Sequence, residues 1–368
     1  MGAHPSKTAA YTVKEFGEVA QKQWDEYVRD SPGGGHALQS HQWGEFKRGQ
    51  GWRPLRLALE KDGEIAGAGQ FLLRSTLPAV PGKLMYASKG PWLDWEDEEA
   101  VRAFFEGAAE VARREGAHTL KIEPEVYAER SDIREMLGRL GFGKARYDLN
   151  FADTIVMDLS PSEDDLMSAM SGKNTRYNVR LAGRKGVEVS EPEDFEWAFE
   201  TFWRWMSDLS EQKEGYHLWR PQEYYHRMME AMSSADQGKF FFAYHEGKPL
   251  TVVYNFTFGS KMWFMLGASD REDRKLKPTY LLQWEVMRWA KERGVTFYDM
   301  VGIPKPENRN DDDPYYGVYK FKKGFGGDVV EFIGCLDLPV KPRLASAWYR
   351  LEPLYYRAYM RLKSDIFY

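Results

Sequence analysis

The sequence predicts an α+β (mixed α/β) fold of two tandem domains descended from an internal duplication, because three landmarks recur in order along the chain. The first is a hairpin signal. Leu55 to Arg74 reads as strand, Asp62-Gly63 turn and strand, and Phe240 to Phe258 repeats it around Glu246-Gly247. The second is a glycine-terminated helix followed by a strand, in Ala108 to Gly116 with His118 to Glu123 and again in Val286 to Gly294 with Thr296 to Val301. The third is a Gly-Phe step, Gly141-Phe142 and Gly324-Phe325. The paired glycines lie 184, 178 and 183 positions apart. Each half is then a strand-hairpin-strand-helix-strand module with helices on a mixed sheet. Two unrelated mixed domains that share turn chemistry are the alternative this pattern leaves open.

A chain of 368 residues is about twice the usual domain length, which agrees with two halves. Tyr147 to Leu159 is expected to carry the crossing, with Val156 to Ser160 as a strand opening the second half. Ser160-Pro161-x-Glu163 then reads as a helix start, serine as cap and proline in the first turn. The expected division is 1–152 with 336–368 for domain 1, and 153–335 for domain 2.

No apolar run approaches the ~20 residues of a membrane helix, and Met1 to Tyr11 lacks the apolar region of a secretory signal, so a cytoplasmic protein is expected. The sequence has one cysteine, Cys335, which therefore has no disulfide partner within the chain; with seven scattered His, no thiolate metal site is expected. A net charge of −5 means that any RNA contact must come from local basic patches.

Five segments carry a resemblance. Leu38-Gln39-Ser40-His41-Gln42-Trp43-Gly44-Glu45-Phe46-Lys47 resembles the opening of the Fem (FemA, FemB, FemX) peptidyltransferase family. Lys89-Gly90-Pro91 with Asp94, Lys173-Asn174-Thr175-Arg176-Tyr177-Asn178-Val179-Arg180, Leu281-Leu282-Gln283-Trp284-Glu285 and Phe321-Lys322-Lys323-Gly324-Phe325-Gly326-Gly327 follow in the family's order. The resemblance spans essentially the whole chain. It implies a pair of acetyltransferase-like (GNAT) domains, the first binding precursor and the second serving aminoacyl-tRNA. The implied activity moves an amino acid, glycine by preference and alanine or serine otherwise, onto a peptidoglycan stem peptide. The acceptor would be UDP-N-acetylmuramyl pentapeptide or its lipid-linked form, and no cofactor is expected. No coiled-coil arm is visible between Met206 and Tyr224, which resembles the shorter FemX-type members that act as monomers.

Ordinary acetyltransferases hold acyl-CoA pyrophosphate on a glycine-rich loop at a helix start. Neither half has one: Arg271 to Thr279 contains no glycine, nor does Asp94 to Glu99. Acyl-CoA is therefore a poor candidate donor, and an acyl-CoA-dependent enzyme on the same twin fold is the rival reading that this absence disfavours; a silent RNA- or precursor-binding protein is a second.

Lys173, Arg176, Arg180 and Arg184 recur at helical spacing as one positive stripe, joined by Lys185. With Arg274, Lys275 and Lys277 they are the candidate tRNA surface, a solvated helix face being the alternative. Arg220 and Tyr224 sit four apart, one turn of a helix that Pro221 could start; the resemblance implies that they and Lys47, with Trp43 before it, hold the precursor, a guanidinium fork suiting diphosphate, and structural packing is the alternative. Where the family often carries a strand tyrosine, this chain has Trp263-Phe264-Met265-Leu266-Gly267. The stretch 320–323 is read as a strand that sends Lys320 and Lys322 to one face; the resemblance places a catalytic Lys after Phe, hence Lys322 beside Phe321, a solvent-facing charge being the alternative. Asp94 is a candidate to position the attacking amine, or an exposed turn acid. Asp311-Asp312-Asp313 is read as a solvated loop. The aromatic-basic stretch Pro342 to Lys363 is expected as an amphipathic helix, docked on its own domain or lying at an anionic membrane surface.

Overall fold

The structure is a computed structural model that describes residues 11–76, 81–170, 172–212, 218–270 and 272–368, apart from the side chains at 172, 173 and 212. The chain divides into two units: the first runs to Asn150 and resumes at Phe332–Arg357, and the second comprises Phe151–Glu331 with Ala358–Tyr368. The first contains β1 (Thr12–Phe16), α1 (Gln21–Asp30), α2 (His41–Arg48), β2 (Arg53–Lys61), β3 (Glu64–Ser75), β4 (Lys83–Ala87), β5 (Trp92–Leu93), α3 (Glu98–Arg114), β6 (Ala117–Ile122), α4 (Ser131–Arg139) and β7 (Gly143–Lys144). The second contains β8 (Asp153–Asp158), α5 (Glu163–Ala169), α6 (Gly172–Arg184), β9 (Val187–Ser190), α7 (Phe195–Gln212), α8 (Gln222–Ser234), β10 (Gly238–His245), β11 (Lys248–Phe258), β12 (Lys261–Ser269), α9 (Pro278–Glu292), β13 (Phe297–Asp299), α10 (Tyr316–Lys323) and β14 (Asp328–Glu331). Then β15 (Leu336–Pro339) returns to the first sheet, and α11 (Pro342–Lys363) carries residues of both units.

The duplicated hairpins both form. Asp62 and Gly63 have φ of 54° and 86°, and Glu246 and Gly247 have 50° and 76°. These paired positive values belong to the tight turn whose twist matches the flanking strands. Each hairpin also carries a register shift just before its tip, between Leu59 and Glu60 and between Ala243 and Tyr244.

The sheets repeat one plan. The first runs β1-β2-β3-β4-β6-β15-β7 and the second β9-β10-β11-β12-β13-β8-β14, read from the corresponding edge. Among the described residues each has one parallel pair, β4 with β6 and β12 with β13, bridged by α3 and α9. Asp97 caps α3 by accepting the Ala100 N–H at 2.9 Å. Its inner face, Val101, Phe104, Phe105, Ala108 and Ala112, enters a core with Leu57, Phe71, Met85 and Ile122. In the second unit Leu282, Val286, Met287 and Ala290 of α9 meet Ile155, Phe241, Val253 and Met262. Gly116 and Gly294 end these helices with φ of 78° and 77°.

Three local expectations need correction. Ser162, not Ser160, caps the first helix of the second unit, accepting from Asp165 N at 3.2 Å; Asp158 turns the chain at Ser160 instead. Pro221 stands before α8 as its cap, so Arg220 lies outside the helix. Residues 320–323 belong to α10 and are helical, because the 3.6-residue period buries Lys322 and leaves Lys320 in solvent. Among the described residues, no helix is long and apolar enough to cross a membrane.

In the first unit β15 is held beside β6 by a Lys121–Asp337 ion pair of 2.8 Å, both side chains under a tenth exposed. Asp337→Ala should lower unfolding stability by about 3 kcal/mol, since it strands a buried ammonium. A Lys121→Met/Asp337→Leu pair should regain most of that loss in urea denaturation.

Candidate functional site

Among the described candidate residues of the second unit, Lys322 is the most buried cation, at 7% exposed. Its Nζ donates to the carbonyls of Val301 and Gly302, the latter at 2.7 Å, and lies 5.6 Å from the Phe264 ring centre. The carbonyls face it because the backbone there is left-handed, with φ of 46° at Val301 and 61° at Gly302. Such values strain a β-branched residue. At Gly302 a Cβ would also meet the Phe151 ring at 2.8 Å. Asp299 accepts the Val301 N–H at 2.7 Å and the Thr154 hydroxyl. Burial lowers the Lys322 pKa to about 8, and the charge of Asp299 works against that fall.

The glycines after Lys322 serve close approach. A Cβ at Gly324 would strike Thr175 Oγ1 of α6, one at Gly326 would come within 2.5 Å of the Ala169 carbonyl, and one at Gly327 within 2.6 Å of the Val156 carbonyl. Phe321 packs edge-on against Tyr280 and Phe325, so it supports α10 from the core side.

On α6, Arg180 and Arg184 are exposed and Arg176 is half-buried; the Lys173 side chain lies outside the described residues. Lys185 Nζ donates to the Lys275 carbonyl at 2.8 Å, which joins this stripe to exposed Arg274 and Lys275 and half-buried Lys277. Arg271 lies outside the described residues. Exposed Tyr177 sits on the same face, 5.9 Å beneath the Arg184 guanidinium.

Arg220 stacks 4.1 Å over the buried Tyr224 ring, so the structure brings this pair together. Its fork is already engaged: Nη1 donates to Asp365 Oδ1 at 2.9 Å and to the Ile366 carbonyl at 3.1 Å, and Nη2 to the Tyr368 carbonyl. Burial raises the Tyr224 hydroxyl pKa and pushes Tyr225 up to about 12, which keeps both neutral.

In the first unit, Lys47 is buried with Nζ 5.8 Å from the Trp43 ring and 5.5 Å from Trp52. Ser40 caps α2 through Trp43 N. Gln39 gives its amide to the carbonyls of Gln70 and Ser88 and fills the space a Cβ at Gly90 would take. The first two sequence signatures thus pack on each other. Asp94 is exposed and accepts the Glu96 N–H at 3.0 Å, the geometry of a turn acid.

An acetyltransferase (GNAT) domain model matches residues 173–323. Lipid II:glycine glycyltransferase of Staphylococcus aureus strain MRSA252 is 26% identical over 414 aligned positions, covering 89% of this chain and 96% of the relative. That of strain USA300 is 25% identical over the same shares. A solved structure described as the crystal structure of FemX superposes with a TM-score of 0.81 at 23% identity, covering 91% of this chain and all of that one. The chain is thus similar in sequence to these glycyltransferases over most of its length, and it shares the fold of FemX. L-PGS from Bacillus licheniformis shares the fold more distantly, with a TM-score of 0.50 at 15% identity, over 93% of this chain and 99% of that one.

Sequence reasoning missed Asp299 and the Val301-Gly302 carbonyls that surround Lys322. The signal was an Asp two residues ahead of a Val-Gly step at a strand end, where an Asp carboxylate commonly accepts the N–H two positions on. It also missed the engagement of Arg220 by residues 365–368, which no local pattern encodes. Arg220→Ala should therefore raise amide exchange across residues 364–368 by about tenfold or more, each hydrogen bond to a charged group being worth ~1.5–3 kcal/mol. Hydrogen-exchange mass spectrometry reads this directly.

Proposed function

We propose that this chain transfers glycine from aminoacyl-tRNA to the side-chain amine of the stem peptide in a lipid-linked peptidoglycan precursor. The observation that carries the reading is the likeness, over 89% of the chain, to relatives named lipid II:glycine glycyltransferase. The buried Lys322 supplies the chemistry. An aminoacyl ester is already activated, so the reaction needs a neutral amine brought to the carbonyl and a positive group for the oxyanion. The amine forms the new C–N bond, and the tetrahedral intermediate collapses with cleavage of the ester bond between the carbonyl carbon and the ribose oxygen. The proton that the amine gives up leaves with the ribose oxygen.

In this reading Lys322 stabilises the oxyanion, Phe321 fixes its helix, and Asp94 receives or orients the incoming amine. Lys47 with Trp43, and Arg220 with Tyr224, hold the precursor, the Arg220 fork exchanging Asp365 for diphosphate. Arg176, Arg180, Arg184, Arg274, Lys275 and Lys277, together with Lys173, track the tRNA backbone. The basic-aromatic face of α11 lies against the anionic membrane that carries the acceptor.

The acetyltransferase-model match over 173–323 gives one specific reason to test an acyl-CoA donor in the same assay. The protein is incubated with purified precursor and either charged tRNAs or acetyl-CoA, and the product mass is read. A gain of one glycine from the tRNA arm alone is expected; acetylation, or no product, would sink the proposal.

Lys322→Met should lower kcat by about 10²–10³-fold, the usual loss on removing one oxyanion donor, with the precursor KM little changed. In the wild type, kcat should fall as pH rises through about 8, because the ammonium is charged below its pKa and neutral above it. Arg176→Glu/Arg180→Glu should raise the KM for aminoacyl-tRNA and flatten its dependence on salt. Unchanged kinetics across roughly 50–200 mM salt, the span over which phosphate contacts are lost, would remove α6 from the tRNA surface.

A further inference from the structure

Lys322 does not hold its place alone. An ammonium in a low-dielectric setting must be met by oriented dipoles or an opposite charge. Here both come from one short segment. Asp299 ends β13 and is 4% exposed. Its carboxylate accepts the Thr154 hydroxyl from β8 and the Val301 N–H at 2.7 Å. The second bond closes a turn two residues ahead, and that turn holds Val301 and Gly302 in left-handed conformations. Met300 N donates to the Ile155 carbonyl at 2.9 Å and Ile303 N to the Asp153 carbonyl at 3.0 Å, so both ends of the turn are tied to β8.

We infer that Asp299 is a positioning residue for Lys322: it pins the Val301-Gly302 turn whose two carbonyls hold the ammonium, and Thr154 orients its carboxylate. The groups that meet the ammonium are the carbonyls of Val301 and Gly302 after β13 and the Phe264 ring of β12. The charge that bears on it is that of Asp299, which favours the protonated form against burial. Asp299 thus acts twice, through the turn and through its field. The link to turnover rests on the role given to Lys322 above; the positioning itself does not.

The test uses the full chain with ¹³C,¹⁵N-lysine, the Lys322 side-chain resonance being assigned by its loss in Lys322→Arg. Asp299→Asn keeps the shape and an acceptor oxygen but removes the charge. The Lys322 titration midpoint, near 8 in the wild type, should fall, with proton affinity dropping about tenfold or more for a lost neighbouring charge. The alkaline limb of kcat should move down with it while the precursor KM holds. Thr154→Val should shift both in the same direction by less, and it serves the same purpose if Asp299→Asn fails to fold. A purely structural role for Asp299 would lower the melting temperature and leave the midpoint in place; that result, in folded protein, overturns the inference. A shifted midpoint with an unmoved alkaline limb supports the positioning and overturns the role of Lys322 in transfer.

Discussion

The second unit is organised around one electrostatic requirement, that a lysine ammonium be kept out of water. Burial opposes its charge, so the surrounding backbone must supply oriented oxygen. Two consecutive carbonyls can converge on one ammonium at Val301 and Gly302 because both residues adopt positive φ. That conformation strains Val301, and the strain is held by Asp299 at one end and the Asp153 carbonyl at the other. On the lysine side, α10 is fixed by Phe325 in the core and by three glycines pressed on α6, α5 and β8. The ammonium, the strained turn and the glycine run are one construction.

The duplicated sheets explain how a chain can hold such a turn firmly. In each sheet the strand beside the second member of the parallel pair comes from outside the local strand-helix-strand order. It is β15 beside β6, which arrives after the whole second sheet, and β8 beside β13, which arrives before the rest of its own sheet. Both pair antiparallel with their neighbour. In the second unit this places Thr154 and Ile155 of β8 directly against the end of β13, where they reach Asp299 and Met300. The inserted strand therefore extends the sheet and braces the turn.

Much of this is legible in the sequence. The hairpin tips and the two glycine helix stops depend on local backbone chemistry, which a few residues encode. The signature motifs are legible as a resemblance, yet the work of their residues is not. Gln39 and Gly90, or Thr175 and Gly324, are far apart in sequence and meet only through the fold. The segment 320–323 reads as a strand because a stretch of four residues, Lys-Phe-Lys-Lys, is too short to tell period 2 from 3.6, and only the run from Tyr316 to Phe325 separates them. Asp299 is hard to find for a different reason. An acid at a strand end signals a turn, and nothing nearby in sequence says that a lysine 23 positions on will occupy it.

The start of α9 bears on the choice of donor. In a fold that grips a pyrophosphate, the free N–H groups of a helix's first turn point at the ligand, which requires glycine for close approach and donors left unblocked. Here Pro278 takes the first position and has no N–H, and Lys277 before it already uses the left-handed conformation that glycine would otherwise supply. The backbone is thus a poor anion cradle at this point. What the segment offers instead is side-chain charge, Arg274 and Lys275 in solvent, tied through Lys185 to the basic face of α6. Charges spread along two elements suit a ligand whose phosphates are spaced along a backbone better than one with two phosphates side by side. That distribution is a physical ground, apart from the relatives' names, for testing a nucleic-acid donor against an acyl-CoA.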